Sequence, residues 1–255
     1  MNAVTPMELS VAEAAGRTAL SPAAARAGLY HFFEVVLAHP GEEGIEYFRQ
    51  AQTEAAFLDA VGRLSGSDAA LVERCRREAQ AFFAAVREMS DGDVESAHIA
   101  MFSATFPHLP CPPYGSLFTA PDAEKRLDEM LAIKRFYQDN GVDVAETFDD
   151  LPDHLCVELE FAQLLAFREN EAAAGGDMQV LEGIRRAEKT FLDRFLFPLA
   201  DRLADLVVDE EDLRLAHQHR LAVVFFVLGH DAGSDHLLDR NVVDPLAVDA
   251  HELLA

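Results

Sequence analysis

A chain of 255 residues, 50% hydrophobic and 26% charged, is long enough to bury one large core or two small ones. That composition excludes collagen-like, disulfide-framed and wholly disordered classes. The formal net charge of −24, from 45 acidic against 21 basic side chains, repels phosphate backbones and anionic membranes and attracts basic peptides. No nucleic-acid partner is expected, and maintenance of solubility in a salty host is the plain alternative reading of the charge. Cys75, Cys111 and Cys156 form no CxxC pair and read as small residues in or near a core. The first twenty residues lack the basic start and apolar stretch of a secretory signal. The longest strongly apolar run, Leu221 to Leu228, is far short of the roughly 20 residues needed to span a bilayer. A cytoplasmic protein without membrane insertion is expected.

Nearly every periodic segment reads as helix. Ser21-Pro22 supplies a cap and a first helical residue, and Leu29, Phe32, Phe33, Val36 and Leu37 follow on one stripe until His39-Pro40-Gly41 breaks it. Tyr30, Phe32 and Phe33 read as core residues. A second helix is predicted over about 42–63, a third after Ser67-Asp68, and a fourth from Ser90-Asp91 to about Phe106. The segment from Phe106 to Pro121 holds five of the 11 prolines, so it is neither a regular helix nor a central strand, and it reads as an ordered, packed connection. Helix resumes at Pro121-Asp122 and stops at Asn140-Gly141. Another opens at Asp149–Pro152. A long one spans about Asp177 to Val208 with a kink at Pro198, and a last runs from about Glu210 to Leu228 before a weaker tail. The expected fold is all-α: a single helical-bundle-like globular domain over 1–255. A Pro-rich loop (107–121) joins an N-terminal helical half (about 17–106) to a C-terminal half (about 122–240).

Phosphate-cradling loops and the GxSxG elbow are absent, and no catalytic residue is assigned. Glu95 and His98 have the i, i+3 spacing of di-iron helical bundles, but no second Glu-x-x-His accompanies them. His217 and His219 would project about 200° apart on a helix. Each of these histidines, like His230 and His236, reads as a surface or capping residue. No metal or other cofactor is expected.

One segment stands apart: Asp149-Asp150-Leu151-Pro152-Asp153-His154, running on to Glu158-Leu159-Glu160-Phe161. With Pro152 at a helix start, Asp153 and His154 fall in the first turn, where Asp suits the positive helix end and His is kept neutral. Two adjacent exposed polar groups there would grip a partner, with Asp153 free for an arginine. A plain helix cap is the competing reading.

These residues resemble the signature of the TorD/DmsD/NarJ family of molybdoenzyme maturation chaperones, an acidic residue before Pro-Asp-His and then Glu-Leu-x-Phe. They match as Asp150, Pro152-Asp153-His154 and Glu158-Leu159-Glu160-Phe161. Pro112-Pro113-Tyr114-Gly115-Ser116-Leu117-Phe118 resembles the family's Pro-Tyr-x-Ser loop, and the helix Leu29 to Leu37 its aromatic-rich early helix. The C-terminal third departs: Phe195 stands where the family usually has His, and no Trp follows. The departures suggest the branch serving type II dimethyl-sulfoxide-reductase-like enzymes.

The resemblance implies a cytoplasmic, non-enzymatic protein. It would bind the apo-catalytic subunit of a molybdenum oxidoreductase, or its twin-arginine signal peptide, and hold it for cofactor insertion before export. The implied client-binding residues are Asp153, His154, Pro152, Glu158, Tyr114 and Ser116: Asp153 for an arginine, His154 for a peptide hydrogen bond, Tyr114 and Ser116 lining the loop, Pro152 fixing geometry and Glu158 anchoring the motif. No nucleotide motif accompanies them. Relatives occur as monomers and as homodimers, and either state fits. Two other readings compete: a helical metal- or cofactor-binding enzyme, and a general acidic adaptor without a molybdoenzyme client.

Overall fold

The computed structural model describes residues 20–64, 69–103, 109–144 and 150–209. Among these residues the protein is a single helical domain, and the only β-type pairing is an isolated antiparallel bridge between Tyr114 and His154. The helices are α1 (Pro22–Leu37), α2 (Glu42–Arg49), α3 (Ala51–Gly62), α4 (Ala69–Glu88), α5 (Asp91–Phe102), a one-turn α6 (Ser116–Thr119), α7 (Ala123–Asp139), α8 (Leu155–Gly175), α9 (Met178–Phe191) and α10 (Phe197–Asp209). A π-helical turn, Leu192–Leu196, joins the last two. No helix among the described residues is long and apolar enough to cross a membrane.

Local chemistry sets the starts and stops. The Ser21 hydroxyl accepts the Ala24 N–H at 3.1 Å with Pro22 beginning α1, Ser90 accepts from Asp93 at the start of α5, and Asp122 accepts from Lys125 at 2.8 Å at the start of α7. Gly176 ends α8 in the left-handed region (φ 72°), which a residue with a Cβ adopts at a cost.

Two aromatic clusters fill the core. Phe32 of α1 lies 4.5–6.3 Å, centroid to centroid, from Phe33, Phe48, Phe57, Phe82 and Phe83. This cluster accounts for the break at Gln50, where one helix over 42–63 was expected. Phe48 and Phe57 are nine residues apart and would sit on opposite faces of a continuous helix. The extended residue Gln50 divides α2 from α3 and turns both rings onto Phe32. In the second cluster, Phe191 meets Phe136, Tyr137, Phe161 and Phe195 within 4.7–6.0 Å.

The long helix expected over 177–208 is also divided. The ladder widens over Leu192–Leu196, and the Phe197 N–H donates to the Leu192 carbonyl, five residues back. Pro198 follows directly, and its ring crowds the carbonyl four residues before it, so a wider turn relieves what a regular helix would not. α5 ends at Phe102, short of the expected Phe106. His98, read as a surface or capping residue, is instead buried and hydrogen-bonds through Nε2 to the Leu37 carbonyl (3.2 Å), tying α5 to the end of α1. Glu95 faces His39. His217, His219, His230, His236, Leu221–Leu228 and the helix expected from Glu210 lie outside the described residues.

The most extensive interhelix packing joins α1 to α8, across the proline-rich segment. A buried polar group fastens it. Arg26 of α1 pairs with Glu169 of α8 and, through Nε and Nη2, with Glu188 of α9 at 2.9–3.0 Å; Tyr30 donates to Glu188, and Arg185 donates to Glu169 at 2.7 Å. Burial alone would lower the Arg26 pKa. The Glu188 hydrogen bond and the charges of Glu188 and Glu169 outweigh it and raise the value above the ordinary.

Replacing Arg26 by Ala leaves both carboxylates without their principal counter-charge, and removing one partner of a buried pair costs about 3–5 kcal/mol. Urea unfolding of Arg26→Ala is expected to show a loss of that size. Arg63→Ala, at an exposed pair with Asp59, is expected to leave the midpoint unmoved.

Candidate functional site: the junction of the proline-rich segment and helix α8

Pro112 and Pro113 have no N–H, so their segment cannot build a hydrogen-bond ladder of its own and takes partners from the turn before α8. The Leu155 N–H donates to the Pro113 carbonyl (2.9 Å), and the Gly115 N–H to the Asp153 carbonyl (3.0 Å). The Asp153 side chain adds a third link, its Oδ2 accepting the Ser116 N–H at 2.8 Å. On the far side, the Tyr137 hydroxyl of α7 donates to the Pro152 carbonyl (2.9 Å).

The helix starts later than expected. α8 begins at Leu155, and His154 is its N-cap: the Cys156 N–H donates to His154 Nδ1 at 3.1 Å. Pro152 and Asp153 occupy the turn before it. A capping Nδ1 must carry a lone pair, so the ring is neutral with its proton on Nε2, which faces Asp150 Oδ2 at 3.8 Å. Burial lowers the His154 pKa, against the raising effect of Asp150 and Asp153.

The expected exposure of Asp153 is corrected. Only 3% of Asp153 is accessible, because its carboxylate turns inward to the Ser116 amide that the prolines leave needing an acceptor. Ser116 is buried too, as is Glu158, one turn into α8. Glu158 approaches Gly115 so closely that a Cβ there would stand 3.1 Å from Glu158 Oε1, which explains a glycine at this position. Burial, then the charge of Asp153, raises the Glu158 pKa well above the usual carboxylate range.

What faces outward is a different set. The Tyr114 ring packs edge-on against His154 (5.2 Å, 76°), and its hydroxyl donates to Asp150 Oδ1 at 3.0 Å. Burial, followed by the Asp150 hydrogen bond, lifts the Tyr114 pKa to about 12, so the phenol remains a donor. Asp150 is exposed, as are the large apolar side chains of Leu151, next in the chain, and Leu117, in α6. The junction thus brings together one accessible carboxylate, an imidazole and an aromatic ring, and the two segments that form it also expose Leu117 and Leu151. The sequence reading missed Leu117 and Leu151 as surface groups and gave Asp150 no role of its own; its place before Pro-Asp-His was the available signal. Among the described residues no three His, Cys, Asp or Glu side chains converge to hold a metal ion. The Cys156 thiol is pushed up to about 12 by burial, next by the Glu34 charge, which leaves it a poor nucleophile.

The junction thus ties a proline-rich segment to a Pro-Asp-His helix start within an all-helical domain. Residues 67–205, more than half of the chain, match the family model described as nitrate reductase delta subunit. The chain belongs to that family, the NarJ/TorD-type chaperones, and its role at that level is redox-enzyme maturation. Among solved structures it is similar to a candidate redox enzyme maturation protein from Archaeoglobus fulgidus, at 17% identity and a TM-score of 0.43, over 78% of this chain and 92% of the other. No curated protein matches.

The His154 cap has a pH signature. Unfolded histidine takes up a proton near 6.5 that the folded ring resists, so this group withdraws stability as pH falls below that value. His154→Asn caps without titrating and is expected to flatten that acid limb. His154→Ala loses the cap and about 1 kcal/mol above about pH 6.5, and its deficit against wild type is expected to narrow as pH falls. Urea midpoints between about pH 5 and 8 read both.

Proposed function

We propose that the chain binds the apo-catalytic subunit of a molybdenum oxidoreductase in the cytoplasm, through its twin-arginine signal peptide or another basic-then-apolar segment, and holds it until its cofactor is inserted and export can follow. Binding without turnover is sufficient for this role. The observation that carries the reading is the outward face of the junction. Asp150 offers an accessible carboxylate to a guanidinium, His154 Nε2–H and the Tyr114 ring flank it, and the same two segments expose Leu117 and Leu151 to apolar side chains. A chain of net charge −24 steers such a partner in.

In this reading the six residues of the motif divide their work. Tyr114 and His154 touch the client. Asp153, Ser116 and Glu158 hold the surface together from beneath, and Pro152 sets the turn. Asp150 takes the arginine contact that the motif alone would give to Asp153. The departures at Phe195 and the missing Trp favour a client of the type II dimethyl-sulfoxide-reductase class.

Affinity purification of the tagged chain from its host, with mass spectrometry of what accompanies it, tests the reading. A molybdoenzyme catalytic subunit lacking its cofactor is the expected companion. Asp150→Asn combined with Tyr114→Ala is expected to cut its recovery about tenfold, the loss of one charge-assisted contact and one aromatic anchor. No molybdoenzyme subunit recovered from cells making one would overturn the chaperone–client reading. A stoichiometric metal in the purified protein would favour a helical metalloenzyme instead.

A further inference from the structure

Helix α7 has two working faces. Ile133 and Tyr137 are buried against the rest of the domain, and the Tyr137 hydroxyl reaches the Pro152 carbonyl. A second set of side chains faces solvent. Leu127 and Leu131, four residues apart, are 55% and 44% exposed. Single surface leucines are ordinary, but two stacked one turn apart on a helix make an apolar strip. Glu124, Leu127, Leu131, Lys134 and Gln138 recur at spacings of three and four, so they fall within about 80° of the helix circumference. All five are exposed. Alternate steps of three and four trace the narrow stripe along which one helix packs against another. The domain core already takes the other side of α7.

The charges on the stripe say what fits it. Its order is acid, leucine, leucine, base, with Glu124 and Lys134 each about 7.5 Å along the axis from the midpoint of the leucine pair. Lys125 and Asp128 satisfy one another at 3.0 Å, whereas among the described residues Glu124 and Lys134 have no ion-pair partner. Turned about a two-fold axis through that midpoint, the stripe is its own complement. Leu127 meets Leu131 of the second copy and Glu124 meets its Lys134, and each contact is made twice. A parallel pairing would set Glu124 against Glu124 and Lys134 against Lys134, which like-charge repulsion disfavours.

We propose that two copies of this chain associate antiparallel through the exposed Glu124–Gln138 stripe of α7.

The size of the face sets the strength. The 17 residues of α7 span about 25 Å, so the contact lies at the small end of specific interfaces and the dimer exchanges readily with monomer. The net charge of −24 on each copy opposes association. At about 0.15 M salt the Debye length of about 8 Å screens distant charges and leaves neighbours across the stripe in contact. The pairing exchanges no element between copies. It uses neither Asp150 nor Tyr114, so it stands or falls apart from the client reading.

Sedimentation equilibrium of the full chain between about 1 and 300 μM, in about 0.15 M salt, is the test. The wild-type chain is expected to pass from monomer to dimer within that range. Leu127→Gln combined with Leu131→Gln places good helix formers at both exposed positions and should remain monomeric. Glu124→Lys alone and Lys134→Glu alone each set like charges opposite one another twice, and should weaken self-association about tenfold. An equimolar mixture of those two variants restores opposite charges in both layers and should recover the wild-type affinity within about threefold. Circular dichroism checks that each variant keeps its helices. A second measurement needs no variant: hydrogen exchange over residues 123–139 of the wild-type chain should slow as concentration rises through the transition. A wild-type chain that stays monomeric would overturn the proposal, whatever then covers the leucines, the chain's own Leu221–Leu228 included. So would a dimer indifferent to the leucine changes, folded charge variants that mixing fails to rescue, or concentration-dependent protection confined to other helices.

Discussion

One carboxylate joins two stretches of chain that are 37 residues apart: Asp153 accepts the Ser116 amide and, through its own carbonyl, the Gly115 amide next to it. A segment with consecutive prolines has few donors and no ladder, so its conformation must be imposed by something outside it. Here the imposing element is the start of α8. That constraint fixes where Tyr114 sits and why Gly115 has no side chain. It also explains why Asp153 faces inward although it lies in an exposed-looking turn. The opposite part of α8 is fixed separately, by Arg26 and its carboxylates, so the helix is held at both ends and packed along its length against α1.

The consequence for function is a division between a hidden and a visible half of one motif. Asp153 and Glu158 are internal and lie against the loop, whereas Asp150 is exposed and holds Tyr114 beside His154. On the proposed reading, affinity for a basic-then-apolar segment depends on the visible half, and on whether the hidden half keeps it assembled. A buried carboxylate is a poor first contact for an arginine, since its water is already gone and its oxygens face the backbone. Asp150, accessible and held by Tyr114, is the better one.

Much of the fold was legible because helix signals are local. Ser21-Pro22, Ser90, Pro121-Asp122 and Asn140-Gly141 bound helices as read. The misread points were those where tertiary packing overrides a local pattern. Gln50 breaks a periodic stretch so that Phe48 and Phe57 reach the same ring, and the π turn before Pro198 answers a steric problem that sequence shows only as a proline. At the site, the Asp150–His154 turn and Tyr114 were singled out from their order in the chain. Their orientation was not readable, because it depends on which backbone amides the prolines leave in need of an acceptor, and that is settled only when the segment meets α8. His98 illustrates the same limit, since its partner is a main-chain carbonyl 61 residues away.

The most direct test of the account is hydrogen exchange across the whole chain, with and without whatever client subunit affinity purification recovers. The account predicts that added protection concentrates in residues 112–119 and 150–158, the two segments of the junction. Protection confined to another surface, such as the exposed start of α9 at Met178 and Val180, with the junction unchanged, would contradict it.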